Sequence, residues 1–150
     1  MIKNAKQLTL TKKIIAEFAT TIEQLKTENS TLSPLLARAQ IEALICQQKE
    51  LVHQAEQYER LLSGDFAVID VEDINDLPKA LIMSRISLGL TQKDLAQRLG
   101  MKEQQIQRYE NTEYSAASFA KLASIIEALG LKISQDILLP VTGASSTFKM

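Results

Sequence analysis

The stretch TQKDLAQRLGMKEQQIQRYE, Thr91 to Glu110, decides how this chain is read. Two short runs of helical periodicity flank one turn signal. Thr91 can cap a helix that begins at Gln92, and Asp94 stands in its first turn, where free N–H groups favour a carboxylate. Leu95 and Leu99 are four residues apart and share a face. Ala96 is small enough to let a second helix cross close by. Gly100 can end the first helix in the left-handed conformation, which costs little without a Cβ. Met101 supplies an apolar residue to the turn. In the second run Ile106 and Tyr109 define a buried side. Glu103, Gln104, Gln107 and Arg108 lie opposite, with Lys102 at their lip. The spacing predicts two helices joined by a turn of about three or four residues.

The flanks extend the pattern. Leu81, Ile82, Ile86 and Leu90 suit a preceding helix. Ser115 can cap a later one in which Phe119, Leu122, Ile125, Ile126 and Leu129 are apolar, with Gly130 just past its end. GLTQKDLAQRLG (Gly89–Gly100), followed by Ile106 and Tyr109-Glu110, resembles the Cro/CI-type repressor family, the lambda-repressor-like or XRE domains. The resemblance covers residues 77–131 and implies a compact bundle of four or five helices. It implies that double-stranded DNA is the partner and that the helix 103–110 lies in its major groove. Lys102, Glu103, Gln104, Gln107 and Arg108 are then the base readers. Their chemistry fits, since Gln pairs bidentately with adenine, Arg with guanine, and Glu accepts from cytosine. Thr91, Gln92 and Lys93 are the expected phosphate contacts, and Gln92 also braces the recognition helix in the family. The resemblance gives Arg85 and Glu110 a structural role, as an ion pair tying the first helix to the end of the recognition helix. One departure is visible. Where the family usually has glycine after that helix, this chain has Asn111-Thr112-Glu113-Tyr114, and Asn111 is a candidate for the left-handed residue.

Residues 1–64 read as a helical hairpin. Thr11, Ile15, Phe18, Ile22 and Leu25 alternate steps of four and three, and Glu28-Asn29-Ser30-Thr31 interrupt them. Ser33 and Pro34 then mark a new helix, in which Ile41, Leu44, Leu51, Ala55, Tyr58 and Leu62 keep the rhythm up to Gly64. Such a helix would be roughly 45 Å long. Each apolar stripe is too narrow to make a core alone, so the two must cover each other, a second subunit, or both. Gln48 holds a core-type position, where a polar side chain can fix register or strand number, or simply occupy a partly wet seam. Cys46 reads as a small core or seam residue.

Between the two regions, residues 65–76 carry five acidic side chains and no basic one, an acidic linker. Phe66 to Val71 can form a short strand, and within the tail, residues 132–150, Ile133, Ile137, Leu138 and Leu139 can form a second before Pro140. The fold class is therefore mainly α, with room for a two-stranded β element.

The whole chain has a formal net charge of -1 over 150 residues, which by itself points to no polyanion. Residues 77–131 hold seven basic and five acidic side chains, a weak surplus of +2. Phosphate contacts per copy should be few, and two copies on one frame would bind far better than one. The hairpin is the natural dimerisation element. Cys46 and His53 are too few for a disulfide or a four-ligand zinc site. There is no glycine-rich phosphate loop and no nucleophile motif, so neither cofactor nor enzyme activity is expected. The absence of a signal-like leader and of a long apolar run predicts a cytoplasmic protein with no membrane partner. The leading expectation is a dimeric, sequence-specific repressor. The alternative is an antitoxin that represses its own operon and holds a toxin through the hairpin or the linker. A third is an interaction module using the fold only as scaffold.

Overall fold

A computed structural model describes residues 1–27, 34–64 and 67–134. Helices α1 (Ala5–Thr27) and α2 (Pro34–Leu62) form the hairpin. They run antiparallel: Lys12 pairs with Glu59, and further along α1 the carbonyl of Ile15 accepts from Gln48 Nε2 at 3.0 Å. Gln48 thus bonds the backbone of the facing helix in the same chain, which fixes how α1 and α2 slide past each other. Asn4 caps α1 through Oδ1, which accepts from the Gln7 N–H at 2.9 Å. The cap expected from Ser33 lies outside the described residues.

Two details of α2 differ from the sequence reading. Cys46 is exposed and is not a seam residue. The buried stripe ends on Leu61, while Leu62 is 48% exposed. From Tyr58 a step of three or of four both fit a helical stripe, and the step of three meets α3.

A single 3-10 turn, Ile74–Asp76, leads into α3 (Leu77–Ser87), with Asp73 accepting from the Asn75 N–H at 2.7 Å to start it. Pro78 occupies the first turn of α3, where its missing N–H is no loss. The strand expected near Phe66–Val71 is not formed over residues 67–71, and Ile133 is in no strand either. A strand needs a paired ladder, and residues 135–139 of its expected partner lie outside the described residues. Helices α4 (Gln92–Arg98), α5 (Glu103–Asn111) and α6 (Phe119–Leu129) complete the bundle. Arg98 Nη1 donates to the Ala128 carbonyl at 2.9 Å and ties α4 to the end of α6.

The loop from α5 to α6 departs most from expectation. Asn111 stays helical, and Glu113 and Tyr114 take the left-handed conformations, with φ of 47° and 57°. Glu113 stands where a helix-ending glycine would, because the Tyr114 N–H closes back on the Tyr109 carbonyl at 2.8 Å. That closure turns the Tyr114 ring inward, where it stacks on Tyr109 with centroids 6.1 Å apart. Burial pushes the Tyr114 hydroxyl well above the ordinary tyrosine pKa, and the Glu110 carboxylate pushes the same way. Residues 112–117 are occupied by this turn, so Ser118 caps α6 in place of Ser115, accepting from the Lys121 N–H at 3.3 Å. Phe119, one of the apolar residues of this helix, opens it on its outer side and is 81% exposed.

Leu81, Ile82, Ile86, Leu95, Ala96, Ile106, Ile125 and Leu129 form the centre of the bundle. Ile2, Ala55, Tyr58 and Leu61 belong to the same cluster. The base of the hairpin therefore packs into the core of the helix-turn-helix unit across the acidic segment.

Candidate nucleic-acid interface

The two helices around residue 100 are built from local signals. Thr91 Oγ1 accepts from the Asp94 N–H at 3.1 Å, and the Asp94 carboxylate accepts from the Thr91 N–H at 2.8 Å. This reciprocal cap fixes the start of α4. Thr91 Oγ1 also donates to Asp94 Oδ2 at 2.6 Å, and this bond, followed by the one from the Thr91 N–H, holds the Asp94 carboxyl below its ordinary pKa. A lowered folded-state pKa means that the cap contributes fully above the ordinary carboxylate pKa and loses its contribution as pH falls through the lowered one. An acid titration followed by NMR should therefore show the Thr91 and Asp94 amides moving together, at a pH below that of an unstructured aspartate. Co-titration at or above the ordinary value would contradict the cap.

At the other end of α4, Gly100 has φ of 62° and the Met101 N–H returns to the Ala96 carbonyl at 2.8 Å. The chain then enters α5 with Gln105 Oε1 accepting from the Lys102 N–H at 3.1 Å. Gln105, which the sequence places among the polar residues of this helix, is engaged in its cap.

The inner face of α5 is set by Ile106 and Glu110, both 0% exposed. Glu110 meets Arg85 in a bidentate ion pair: Arg85 Nε donates to Oε1, and Nη2 donates to Oε2 at 2.8 Å. Arg85 also donates to the carbonyls of Leu90 and Lys3, each at 2.7 Å. Gln92 is buried and donates through Nε2 to Glu110 Oε2 at 2.7 Å. Its side chain is thus turned into the bundle, braced against α5, while Thr91 and Lys93 on either side are exposed.

The outer face carries the remaining candidates. Lys102, Glu103, Gln104 and Arg108 are exposed, and Gln107 is half-buried. Gln107 Nε2 donates to Glu103 Oε1 at 2.9 Å, which orients both. Gln104 and Arg108, one helical turn apart, have side chains with no hydrogen-bond or ionic partner among the described residues. Lys93 and Lys102 add exposed positive charge on the same two helices, and the Lys121 Nζ lies 3.6 Å from Met101 Sδ, next to Lys102. The electrostatics are modest: Arg85 is neutralised by Glu110, while Arg98, whose Nη1 bonds a backbone carbonyl at the end of α6, keeps its charge at the surface.

Lys3 and Asn4 are part of this site and had no signal in the sequence. They come from the segment that leads into α1 and touch Glu110, Arg85 and Gln92.

A capped helix, a glycine turn and a second helix with one locked face and one open polar face define the helix-turn-helix class of DNA-binding domain. Residues 81–135 match the family model described as Helix-turn-helix, and this segment is a Cro/CI-type helix-turn-helix domain of a DNA-binding regulator. No curated protein and no solved structure matches the chain. Among the described residues no helix is long and apolar enough to cross a membrane.

Proposed function

We propose that the chain is a dimeric, sequence-specific repressor that reads the major groove of duplex DNA with the outer face of α5. The observation that carries this reading is the pair Gln104 and Arg108, exposed and unpartnered on a helix whose other face is locked in the core. Unpaired amide and guanidinium groups held on a rigid element are what base edges require. Glu103 and Gln107, already oriented against each other, complete the reading face, and Lys102 stands at its edge. Thr91 and Lys93 reach for phosphate from the start of α4, with Gln92 acting from within as the brace that holds α4 to α5.

Dimerisation follows from affinity and from the hairpin. A domain with so few free cations gains little from counterion release, and a second copy raises its effective concentration at the site. Leu10, Leu35 and Leu36 are exposed on the hairpin at 59%, 78% and 58%. A second hairpin would cover them in a four-helix arrangement.

The test is selection of duplexes from a random-sequence pool by the full chain, together with its mass in solution. The expected result is a two-fold symmetric site with half-sites about 10–10.5 bp apart, centre to centre, and a mass twice that of one chain. Enrichment of no duplex at low salt would overturn the reading. A monomer bound to a single half-site would overturn its dimeric part.

A further inference from the structure

We infer that Lys3 and Asn4 are positioning residues for the DNA-reading surface, setting α5 against α4 and linking both to the hairpin. The inference rests on the reading of α5 proposed above, and adds residues outside the helix-turn-helix segment to its machinery.

The geometry is a closed network, buried at Lys3, Arg85, Gln92 and Glu110 and half-buried at Asn4. Asn4 Oδ1 is held by the cap of α1, so its Nδ2 is the group left to face Gln92, and it donates to Gln92 Oε1 at 3.2 Å. That bond leaves Gln92 Nε2 pointing at the Glu110 carboxylate, to which it donates at 2.7 Å. Each amide therefore has one orientation that satisfies both neighbours. Lys3 closes the network from the other side. Its Nζ donates to the Glu110 carbonyl in the last turn of α5, which also accepts from the Glu113 N–H, and a cation there complements the negative end of the helix. Its own carbonyl accepts from Arg85 Nη2. Lys3 is 9% exposed, Gln92 4%, Arg85 2% and Glu110 0%. In such surroundings a hydrogen bond lost from one member leaves a desolvated group behind, and the remaining members must rearrange.

Arg85, Gln92 and Glu110 lie within residues 81–135 and already form a brace. Lys3 and Asn4 are 82 to 107 residues away from the groups they meet. They connect the first turn of α1 to the start of α4 and the end of α5. A displacement of α1 cannot occur without breaking bonds to the two helices of the reader, so the state of the hairpin is conveyed to the reading face.

The variant that separates this role from helix capping is Asn4→Asp. Aspartate caps a helix as well as asparagine does, so α1 keeps its start. The donor facing Gln92 is lost, and a carboxylate oxygen now opposes Gln92 Oε1. The Gln92 amide must turn over, which takes Nε2 away from Glu110. The measurement uses the full chain and a duplex that the wild-type chain enriches from a random-sequence pool. Asn4→Asp is expected to keep the wild-type helix content. The NMR signals of the Gln92 side-chain amide should shift and lose protection from exchange, and affinity for the duplex should fall about tenfold, about 1.4 kcal/mol. Should Asn4→Asp fail to fold, Lys3→Met serves, with Lys3→Arg as the conservative control that retains a donor and recovers binding. A folded Asn4→Asp chain that binds like wild type overturns the inference. So does weaker binding with the Gln92 amide unchanged, because the effect would not pass through the brace. Failure of the DNA reading itself would show differently, as a wild-type chain that enriches no duplex.

Discussion

Arg85→Ala is expected to lower the free energy of unfolding by about 3–5 kcal/mol, the usual result of removing one partner of a buried ion pair. Urea denaturation followed by circular dichroism measures it. The magnitude comes from what is left behind. Glu110 is fully buried, and without Arg85 its carboxylate keeps one hydrogen bond, from Gln92 Nε2. The carbonyls of Leu90 and Lys3 also lose their donor. Against a typical stability of about 5–15 kcal/mol, the variant stands near the limit of folding. The double variant Arg85→Met, Glu110→Leu removes both charges and is expected to lose less than Arg85→Ala alone, because no charge is then stranded. Equal losses in the two variants would exclude the stranded carboxylate as the cause. A stable Arg85→Ala chain with altered sequence preference would show instead that Arg85 meets DNA.

Gln104→Ala combined with Arg108→Ala should have the opposite profile. Each side chain is expected to contribute about 1–3 kcal/mol of base discrimination, so the pair together should reduce affinity for the selected duplex by about a hundredfold or more. The unfolding curve should stay within about 0.5 kcal/mol of wild type, since both residues are exposed and unpartnered. Arg108→Lys refines the test. A lysine keeps the charge and loses the bidentate fork, so a base contact is lost while a phosphate contact is largely kept. Loss of preference at one base position with Arg108→Lys places Arg108 at a guanine. Full binding by the double alanine variant would remove α5 from the reading role.

The helix-turn-helix was legible in the sequence because its signals are local. Thr91, Asp94 and Gly100 act on residues three or four positions away, and Leu95, Leu99, Ile106 and Tyr109 fall on one side by periodicity alone. The same locality explains the errors. Ser115 and Ser118 are equally good caps, and the left-handed pair Glu113 and Tyr114 decides between them; burial of the Tyr114 ring favours that pair, and no spacing reveals it. Leu61 and Leu62 both fit a helical stripe, and only α3 tells them apart. Asn111 was the better left-handed residue by type, but the chain places the turn two residues later, where the helix runs out. Lys3 and Asn4 were illegible for a different reason. A lysine and an asparagine before a helix carry no periodicity, and the groups they meet are far along the chain.

That distance bears on how the molecule is made. Most of its helices can form from neighbouring residues, and chains held by neighbours fold fast. The network under α5 instead closes loops of 82, 88 and 107 residues. On the ribosome Lys3 emerges long before Glu110 has been synthesised, and it stays in water while α1 and α2 find each other. Its burial has to follow the completion of α5, so translation makes this junction one of the last contacts to close. A nascent chain stopped short of residue 110 has Lys3 with no helix end to meet, and the base of its hairpin still lacks part of the core it packs into.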